Sequence, residues 1–447
     1  MSAKKTFQGG SHPPTRKRAT QASMISSMPV PSRVVIPLSQ HTGAPAEPIV
    51  AVGDEVSAGQ KIGEAQGYIS VPVHASIDGK VVAIELHRHP LGGELPAVII
   101  ESDGSEPSHE PSQTPAQSAP SDPGAMVEAI REAGIVGLGG AAFPTHVKLS
   151  PPENKPIDTC ILNGAECEPY LTADHRLMVE SGAEIIAGLK IILNILNCQR
   201  GFIGIEANKP DALTAMREQV REERNLTVVP LQVKYPQGAE KQLVWAITRR
   251  EVPSGGLPMD VGCVVQNVGT AKAIDEAVSR GKPLTERVVT ITGPIIREPQ
   301  NVRVPIGTLF RDIIEHCGGT TQKPGKLIMG GPMMGLAQAS DEVPVIKGTS
   351  GILALESNQA VIADSQTCIG CARCVDTCPM KLVPTQLAKL IEHSRFAEAE
   401  ERGVLDCMEC GTCSYVCPSK INLVHLFKFG KAKIFEERRK KKDGQAA

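Results

Sequence analysis

Eight of the thirteen cysteines of this chain lie within residues 368–417, in two runs with the same spacing. Each run has the form Cys-x2-Cys-x2-Cys-x3-Cys-Pro. Gaps of two residues let three thiolates from one loop reach three irons of a cubane, while the fourth cysteine binds the other cluster in two-cluster ferredoxins. The spacing therefore predicts two 4Fe–4S clusters. One is predicted on Cys368, Cys371, Cys374 and Cys417, and the other on Cys407, Cys410, Cys413 and Cys378.

A pair of structural zinc sites is the alternative. Zinc favours paired Cys-x2-Cys knuckles separated by longer loops, whereas each run here packs four cysteines into eleven residues and is followed by proline. This density favours iron–sulfur clusters. The other five cysteines lack ligand spacing and are expected in the core, where free cysteine is common. They are Cys160, Cys167, Cys198, Cys263 and Cys317, of which Cys167 lies inside a candidate site.

The length and charge of the chain limit its class. Its 447 residues are too many for one ordinary core, so several domains are expected. The formal charge of −2 argues against a nucleic-acid-binding protein. No apolar run approaches the roughly 18 residues needed to cross a bilayer, and residues 1–10 lack the apolar segment of a secretion signal. We therefore expect a cytosolic protein, located at most on a membrane surface.

Residues 31–102 are predicted to form short strands between glycine turns, after an N-terminal arm over residues 1–30. The two halves of this region are similar to the barrel-sandwich hybrid of lipoyl and biotinyl domains. Those domains carry a modifiable lysine at a hairpin tip, but His74, Ala75 and Ser76 stand there in this chain. The region is therefore expected to be a structural copy and not a swinging arm. A linker rich in proline and serine follows over residues 103–124.

Strands and helices alternate after the linker. Strands are expected at 157–163, 201–207 and 226–233, and helices at 126–133, 175–197 and 209–223. Such alternation predicts a Rossmann-like α/β domain with a parallel sheet over residues 125–285. The remainder is predicted to be a β-grasp unit over 286–345, a connector over 346–365, a helical ferredoxin-like domain over 366–430 and a basic tail over 431–447. The chain is thus predicted to be a multidomain α/β protein.

A glycine-rich loop, Gly137-Leu138-Gly139-Gly140-Ala141-Ala142-Phe143-Pro144-Thr145, opens the α/β domain. Glycine lets backbone amides approach a phosphate or a flat ring closely. The loop follows a helix instead of a strand, so it departs from the dinucleotide-binding fingerprint, and a tight turn between helices is the alternative.

Other polar residues accompany this loop. Lys148 lies just downstream, and residues 163–169 (Asn-Gly-Ala-Glu-Cys-Glu-Pro) follow a buried strand. Ligand sites of open α/β sheets lie at the carboxyl ends of the strands. Polar loops at 237–240 and 266–270 are therefore further candidates for the same site.

Residues 134–148, together with 163–169, resemble the flavin- and NADH-binding subunit of respiratory complex I. That subunit has a loop of the form G-x-x-G-x-G-G-A-G-F-P-T-x-x-K, and its next motif is N-A-D-E-S-E-P. This chain keeps the loop glycines at 134, 137, 139 and 140, and also Phe143, Pro144, Thr145, Lys148, Asn163, Glu166, Glu168 and Pro169. It departs at Ala165, where that subunit has aspartate, at Ala239, where it has glutamate, and at Gln266, where it has asparagine.

The whole chain resembles the C-subunit family of the Rnf ion-translocating oxidoreductases. The resemblance begins at Gly9-Gly10-Ser11-His12-Pro13-Pro14, continues through Ile36-Pro37-Leu38-Ser39-Gln40-His41, and closes with both cysteine runs. It implies a peripheral subunit on the cytoplasmic face of a membrane, exchanging electrons between NAD(H) and a ferredoxin-like partner subunit in a complex that moves Na⁺ or H⁺.

The resemblance also implies a cofactor set. FMN is expected on Gly137, Gly139, Gly140, Lys148, Asn163, Gly238, Glu240, Asn267 and Thr270, and the nicotinamide nucleotide beside Phe143, Glu166 and Glu168. For the last two residues the alternative is a cap on a helix N-terminus, which acids favour. No catalytic acid or base is expected, because the cofactors carry the chemistry.

Two other functions remain open at this point. A soluble cobalamin reductase of the microcompartment kind would share the flavin loop and the cysteine runs. Such reductases begin near the glycine-rich loop, however, and lack the Gly-Gly-x-His-Pro-Pro arm present here. A non-catalytic scaffold that carries clusters beside a flavin site that no longer binds flavin would account for the loss of acidic residues at Ala165 and Ala239.

Overall fold

The computed structural model describes residues 4–102, 104 and 120–445. A short strand, β1 (Ser26–Ser27), ends the N-terminal arm. The strands that follow are β2 (Arg33–Pro37), β3 (Glu47–Pro48), β4 (Glu55–Val56), β5 (Lys61–Glu64), β6 (Val73–His74), β7 (Gly79–Arg88) and β8 (Glu94–Glu101). They form two antiparallel sheets, β2-β8-β7-β4 and β3-β5-β6, over one aliphatic core. This arrangement confirms the predicted barrel-sandwich hybrid. Most of the predicted linker lies outside the described residues.

The predicted α/β domain is present. Its elements are α1 (Pro123–Glu132), α2 (Thr145–Lys148), β9 (Thr159–Gly164), α3 (Ala173–Glu180), α4 (Gly182–Ile195), β10 (Arg200–Glu206), α5 (Pro210–Gln219), β11 (Leu226–Leu231), α6 (Glu240–Thr248), β12 (Cys263–Asn267) and α7 (Val268–Arg280). The four strands are parallel, in the order β11-β10-β9-β12. Their carboxyl ends therefore lie at one edge, beside the glycine-rich loop between α1 and α2.

The single helix predicted over 175–197 is wrong, because Ser181 separates α3 from α4 with φ −131° and ψ 34°. Serine and glycine are weak helix formers. Gly182, which begins α4, packs so closely on α5 that a Cβ there would lie 3.1 Å from the Gln219 side chain. The apolar spacing is continuous across the break, which is why the sequence pattern concealed it.

The β-grasp unit contains more of the chain than expected. Its elements are β13 (Glu286–Thr292), β14 (Gln300–Pro305), α8 (Phe310–His316), β15 (Lys326–Met329), β16 (Leu336–Gln338) and β17 (Gly351–Leu355). The sheet order is β1-β14-β13-β17-β15-β16. Strand β17 is fully buried at the centre of the sheet, although its residues were predicted to be connector. Its unbroken apolar run, Gly-Ile-Leu-Ala-Leu, is typical of a strand covered on both faces.

The cysteine runs lie in a helical domain with α9 (Arg373–Thr377), α10 (Pro384–Glu392), α11 (Phe396–Glu401), α12 (Thr412–Val416) and α13 (Leu423–Gln445). Residues 431–445 of the predicted basic tail belong to α13, and residues 437–441 are exposed. The two runs fold alike, because Ala372 before α9 and Gly411 before α12 both adopt positive φ. Among the described residues no helix is both long and apolar enough to cross a membrane.

The N-terminal arm is not a free segment. Its Lys5 amide donates to Pro230 O at 3.1 Å in the α/β domain, and its Gly10 amide donates to Thr377 O at 2.7 Å in the helical domain. Further along, the Met28 amide donates to Arg303 O at 3.0 Å in the β-grasp sheet. The arm therefore ties three domains together.

Candidate functional site

The eight cysteines of the two runs surround two cavities. Cys407, Cys410 and Cys413 share one cavity with Cys378. Cys368, Cys371 and Cys374 share the other with Cys417. Each cavity thus receives three thiols from one run and the last thiol of the other run, which is the grouping proposed from the spacing.

The surroundings of the thiols fit iron–sulfur clusters. The first cavity has Leu382, Val424 and Phe427 in its lining, and apolar walls hold a cluster away from water. The Leu382 amide donates to Cys378 Sγ at 3.4 Å, and the Glu409 amide to Cys407 Sγ at 3.4 Å. Hydrogen bonds to cluster sulfurs are one means by which a protein sets the reduction potential.

The two cavities differ in exposure. Cys368 and Cys371 are exposed, whereas Cys410 and Cys413 are buried and Cys378 is half-buried. We call the cavity of Cys378, Cys407, Cys410 and Cys413 the inner cavity, and that of Cys368, Cys371, Cys374 and Cys417 the outer cavity. A cluster in the outer cavity is the one that a second protein could reach directly.

The candidate flavin site is built at the carboxyl edge of the parallel sheet. Asn163, the next-to-last residue of β9, lies directly opposite Asn267, which ends β12. Asn163 Nδ2 donates to Gly238 O at 2.8 Å, and its Oδ1 accepts from the Ala165 amide at 3.2 Å. Adjacent parallel strands thus present two amides side by side, and the first of them holds the loop that contains Gly238.

The glycine-rich loop lies over this edge. Leu138 donates its amide to Thr270 Oγ1 at 2.9 Å, and a Cβ added to Gly139 would lie 3.5 Å from Asn267 Cβ. Gly140 has φ +119°, and a Cβ built on it meets nothing within 4 Å. The loop therefore forms an open cradle, exposed at Gly139 and Gly140, of the kind that a phosphate or a flat ring can occupy.

Lys148 reaches the same edge from α2. Its Nζ donates to Glu240 Oε1 at 2.6 Å, where Glu240 begins α6. Both side chains remain partly exposed, so solvent and ligands can reach the pair. A lysine at this place can hold a phosphate, because the ammonium is a mobile donor of three hydrogen bonds.

Glu166 and Glu168 were expected beside the nicotinamide nucleotide. The carboxylate of Glu166 instead accepts from the Asp174 amide at 2.7 Å and the His175 amide at 3.3 Å, so it caps α3. Glu168 accepts from the amides of Met333 at 3.0 Å and Met334 at 2.8 Å in the β-grasp unit. Burial raises the pKa of Glu168. Phe143 is half-buried at the rim of the loop.

Sequence reasoning missed a buried lysine that holds this loop. Lys17 of the arm donates to the carbonyls of Glu166 and Glu168 at 2.9 Å each, and also to that of Leu171. Burial lowers its pKa to about 8. Lys17 stands between Arg16 and Arg18, and nothing in this basic stretch of the sequence distinguishes the buried residue from its neighbours.

The five cysteines outside the runs are core residues or close to it. Cys160, Cys198, Cys263 and Cys317 are buried. Burial raises the pKa of all five thiols. Cys167 lies at the candidate flavin site, where its Sγ accepts from the Gly238 amide at 3.3 Å. With its pKa raised to about 12, it is a neutral thiol that shapes the loop.

The inner cavity adjoins the flavin domain. Gln242 on α6 donates from Nε2 to Pro379 O at 3.1 Å, directly after Cys378. From the arm, Gly9 packs so tightly that a Cβ would lie 2.9 Å from Cys378 O, and only a glycine fits there at φ +81°. The helix that starts at the flavin site therefore touches the loop that carries an inner-cavity cysteine.

Comparison with known families agrees with this architecture. The chain matches a barrel-sandwich hybrid domain named for RnfC over residues 5–105, the Nuo51 FMN-binding domain over 130–276, an SLBB domain over 288–337 and a 4Fe–4S dicluster domain over 360–418. These domains, with the cysteine cavities and the glycine-rich cradle, define an iron–sulfur flavoprotein.

The chain belongs to the family of C subunits of ion-translocating ferredoxin:NAD⁺ oxidoreductases. It is 48% identical, over 97% of its length and 98% of the relative, to the C subunit of the Na⁺-translocating complex of Acetobacterium woodii. It is 50% identical, over 90% of its length and 88% of the relative, to the C subunit of the proton-translocating complex of Clostridium ljungdahlii. The C subunit of the ion-translocating oxidoreductase of Rhodobacter capsulatus is 44% identical, over 98% of this chain and 84% of the relative.

A solved structure shares the fold. The NAD⁺-reducing NiFe hydrogenase in its H₂-reduced state aligns with a TM-score of 0.50 and 17% identity. The alignment covers 67% of this chain and 63% of that chain. At this identity the likeness concerns the fold alone.

Proposed function

We propose that this chain carries electrons between NAD(H) and the partner subunits of a membrane-bound, ion-translocating ferredoxin:NAD⁺ oxidoreductase. FMN, when bound, supplies the conversion from a hydride to single electrons, and the two 4Fe–4S clusters carry single electrons. The observation that carries the proposal is the contact between α6, which begins at the flavin site, and the loop of Cys378. That contact joins the two cofactor sites within one chain.

The residues at the sheet edge have separate proposed roles toward FMN. The exposed backbone at Gly139 and Gly140 would admit the cofactor, Gly137 would hold the turn through its hydrogen bond to Phe143 O, and Lys148 would hold the phosphate. Asn163, Gly238, Glu240, Asn267 and Thr270 would fix the rest of the group. These assignments rest on the resemblance and on the cradle geometry described above.

The proposed nicotinamide pocket is lined by Phe143, Glu166 and Glu168. The carboxylates of the two glutamates are already engaged, by α3 and by the β-grasp unit. They would therefore shape the pocket through the loop they hold. The chain itself contributes binding and alignment, because hydride transfer between nucleotide and flavin needs no protein acid or base.

Electrons would pass first to the inner cavity and then to the outer one. The inner cavity adjoins α6 and the arm, whereas two thiols of the outer cavity are exposed. The described residues 361–373 are exposed without a break and include those two thiols. We propose that this surface is covered by a ferredoxin-like partner protein of the complex, and that the assembly lies on the cytoplasmic face of the membrane.

A visible spectrum of the anaerobically purified full-length chain tests this function. We expect flavin bands, broad cluster absorption, and loss of both on addition of NADH. Elemental analysis should give about eight irons and eight sulfides per chain. Two zinc atoms without sulfide would contradict the cluster assignment. Clusters without flavin would instead favour the alternative function, a non-catalytic scaffold that carries clusters.

A further inference from the structure

A partly buried carboxylate lies behind the candidate flavin site, outside the residues that the family resemblance singles out. Asp174, in the first turn of α3, accepts through Oδ2 from Asn267 Nδ2 at 2.7 Å. The other end of the same amide is also committed, because Asn267 Oδ1 accepts from the Gly269 amide at 2.7 Å and caps α7. Both ends of the Asn267 side chain are thus fixed, and Asp174 supplies one of the two contacts.

The glycine-rich loop lies close to this pair. Asn267 is the residue that a Cβ on Gly139 would touch, at 3.5 Å. Arg287, buried on β13, donates from its guanidinium to Leu138 O at 3.3 Å in the same loop. Asn267 and Arg287 therefore both lie next to the backbone that forms the cradle, and Asp174 is hydrogen-bonded to the first of them.

Charged groups from three elements face Asp174. Glu166 lies on the loop before α3 and accepts from the Asp174 amide, Arg287 is on β13, and Lys209 precedes α5. Burial, and then the charge of Glu166, raise the pKa of Asp174 to about 7, against the lowering effects of the Asn267 amide, Arg287 and Lys209. The carboxyl group therefore changes charge within the physiological range.

We propose that Asp174 is a positioning residue of the flavin site, which fixes the Asn267 amide and places a titratable negative charge behind the glycine-rich loop. The inference rests on the proposed function of that site. A negative charge there disfavours added electron density at a flavin held by the loop. Reduction of the flavin therefore becomes harder as Asp174 loses its proton.

The experiment compares Asp174→Asn with Asp211→Asn in the full-length chain. Asp211 is the control, since this carboxylate lies on α5 and pairs with His175 Nε2 at 2.7 Å, whereas Asp174 pairs with Asn267. The fraction of reduced flavin is measured spectroscopically against a redox dye at pH 6 and pH 8. Flavin content per chain is measured in parallel.

At pH 8, Asp174→Asn should raise the ratio of reduced to oxidised flavin by about tenfold, the order expected for one unit charge at short range. At pH 6 the ratio should change little, because Asp174 is then mostly protonated. Asp211→Asn should change neither value. If Asp174→Asn does not fold, Asp174→Ser removes the same charge from a smaller side chain.

An equal ratio in wild type and variant at pH 8, with flavin bound to both, would overturn the role of Asp174 and leave the proposed function intact. A change of the same size at both pH values would show a structural effect and would also overturn it. Absence of flavin from the wild-type chain would overturn the proposed function together with this inference.

Discussion

Lys148 and Glu240 face each other across the candidate flavin site, with Nζ and Oε1 2.6 Å apart. Helix α2 carries the lysine, and the first residue of α6 carries the glutamate. The positive charge of Lys148, the residue proposed to hold the phosphate, is therefore balanced by Glu240 until an anion competes for the lysine. We expect the ion pair to loosen when FMN binds. The contribution of the lysine charge to FMN binding can then be measured by substituting Lys148.

Lys148→Met should weaken FMN binding by roughly tenfold to a hundredfold, the loss expected when a charge-assisted hydrogen bond to a phosphate is removed. Titration of the flavin-free chain with FMN measures the Kd. Lys190→Met is the control, because Lys190 also forms an ion pair, with Glu223 at 2.5 Å, but lies on α4 away from the site. Equal Kd values for FMN in the two variants would show that Lys148 does not bind the phosphate of FMN.

The cysteine grouping predicts that replacing the last cysteine of one run damages the cluster held by the first three cysteines of the other run. Cys417→Ser should damage the cluster held by Cys368, Cys371 and Cys374, because Cys417 lies in the outer cavity. Cys378→Ser, the matched variant, should damage the inner cluster. Electron paramagnetic resonance of the reduced proteins distinguishes the two. Loss of the inner cluster in Cys417→Ser would mean that ligation is not crossed.

Gly139→Val should abolish flavin binding while both clusters remain. The first carbon of the new side chain would already contact Asn267, and the valine methyl groups would push that residue or fill the cradle. Gly139→Ala is the control, since a Cβ alone would lie at an ordinary 3.5 Å. Flavin and iron contents are measured on the same samples. Normal flavin content in folded Gly139→Val would place the FMN elsewhere.

Lys17→Met should destabilise the chain by about 3 kcal/mol, because three buried carbonyl oxygens lose their donor. Arg18→Met, at an exposed neighbouring position, should have little effect. Thermal unfolding followed by circular dichroism gives the comparison. An unchanged unfolding midpoint in Lys17→Met would show that the loop is held by other contacts.

The same lysine gives a pH dependence with a defined sign. Its pKa is lowered to about 8 in the folded chain, against about 10.4 when unfolded. Between these values the unfolded chain binds more protons, so the stability of the wild type relative to Lys17→Met should rise from pH 8 to about pH 10. Paired unfolding measurements over this range check the slope, and a falling difference would contradict the assignment.

Membrane attachment should depend on partner subunits. Deleting residues 436–447, which include the exposed basic residues 438–441 of α13, should leave attachment largely intact, because exposed lysines add only weak attraction to anionic lipid. Removing the partner subunits should release the chain to the soluble fraction. Retention of the isolated chain on protein-free liposomes at moderate salt would instead require a direct anchor.

The sequence predicted the cofactor chemistry more accurately than the bounds of the helices, strands and domains. Cysteine spacing and strand–helix alternation are local patterns, so the cluster domain and the parallel sheet followed from them directly. Strand β17 was missed because its position between β13 and β15 depends on pairing with residues about 25 and 60 positions away. The break at Ser181 was hidden by an apolar pattern that continues across it.

The roles of buried charges could not be predicted for a related reason. Glu166 occupies a motif position typical of nucleotide binding, but in space it meets the amides that open α3. Asp174 and Lys17 become important only where the arm, α3 and β12 come together. A sequence pattern identifies residue types at fixed spacings, whereas these contacts depend on how distant segments pack.

The path of the arm sets the order in which some contacts can form during synthesis of the chain. Lys5 and Gly10 are synthesised before their partners, Pro230 and Thr377. The contact of Lys5 can therefore form only after β11 of the α/β domain has been synthesised, and that of Gly10 only after the first cysteine run. Because Gly9 packs against the carbonyl of Cys378, this end of the arm reaches its place only when the loop that carries an inner-cavity cysteine is there to receive it.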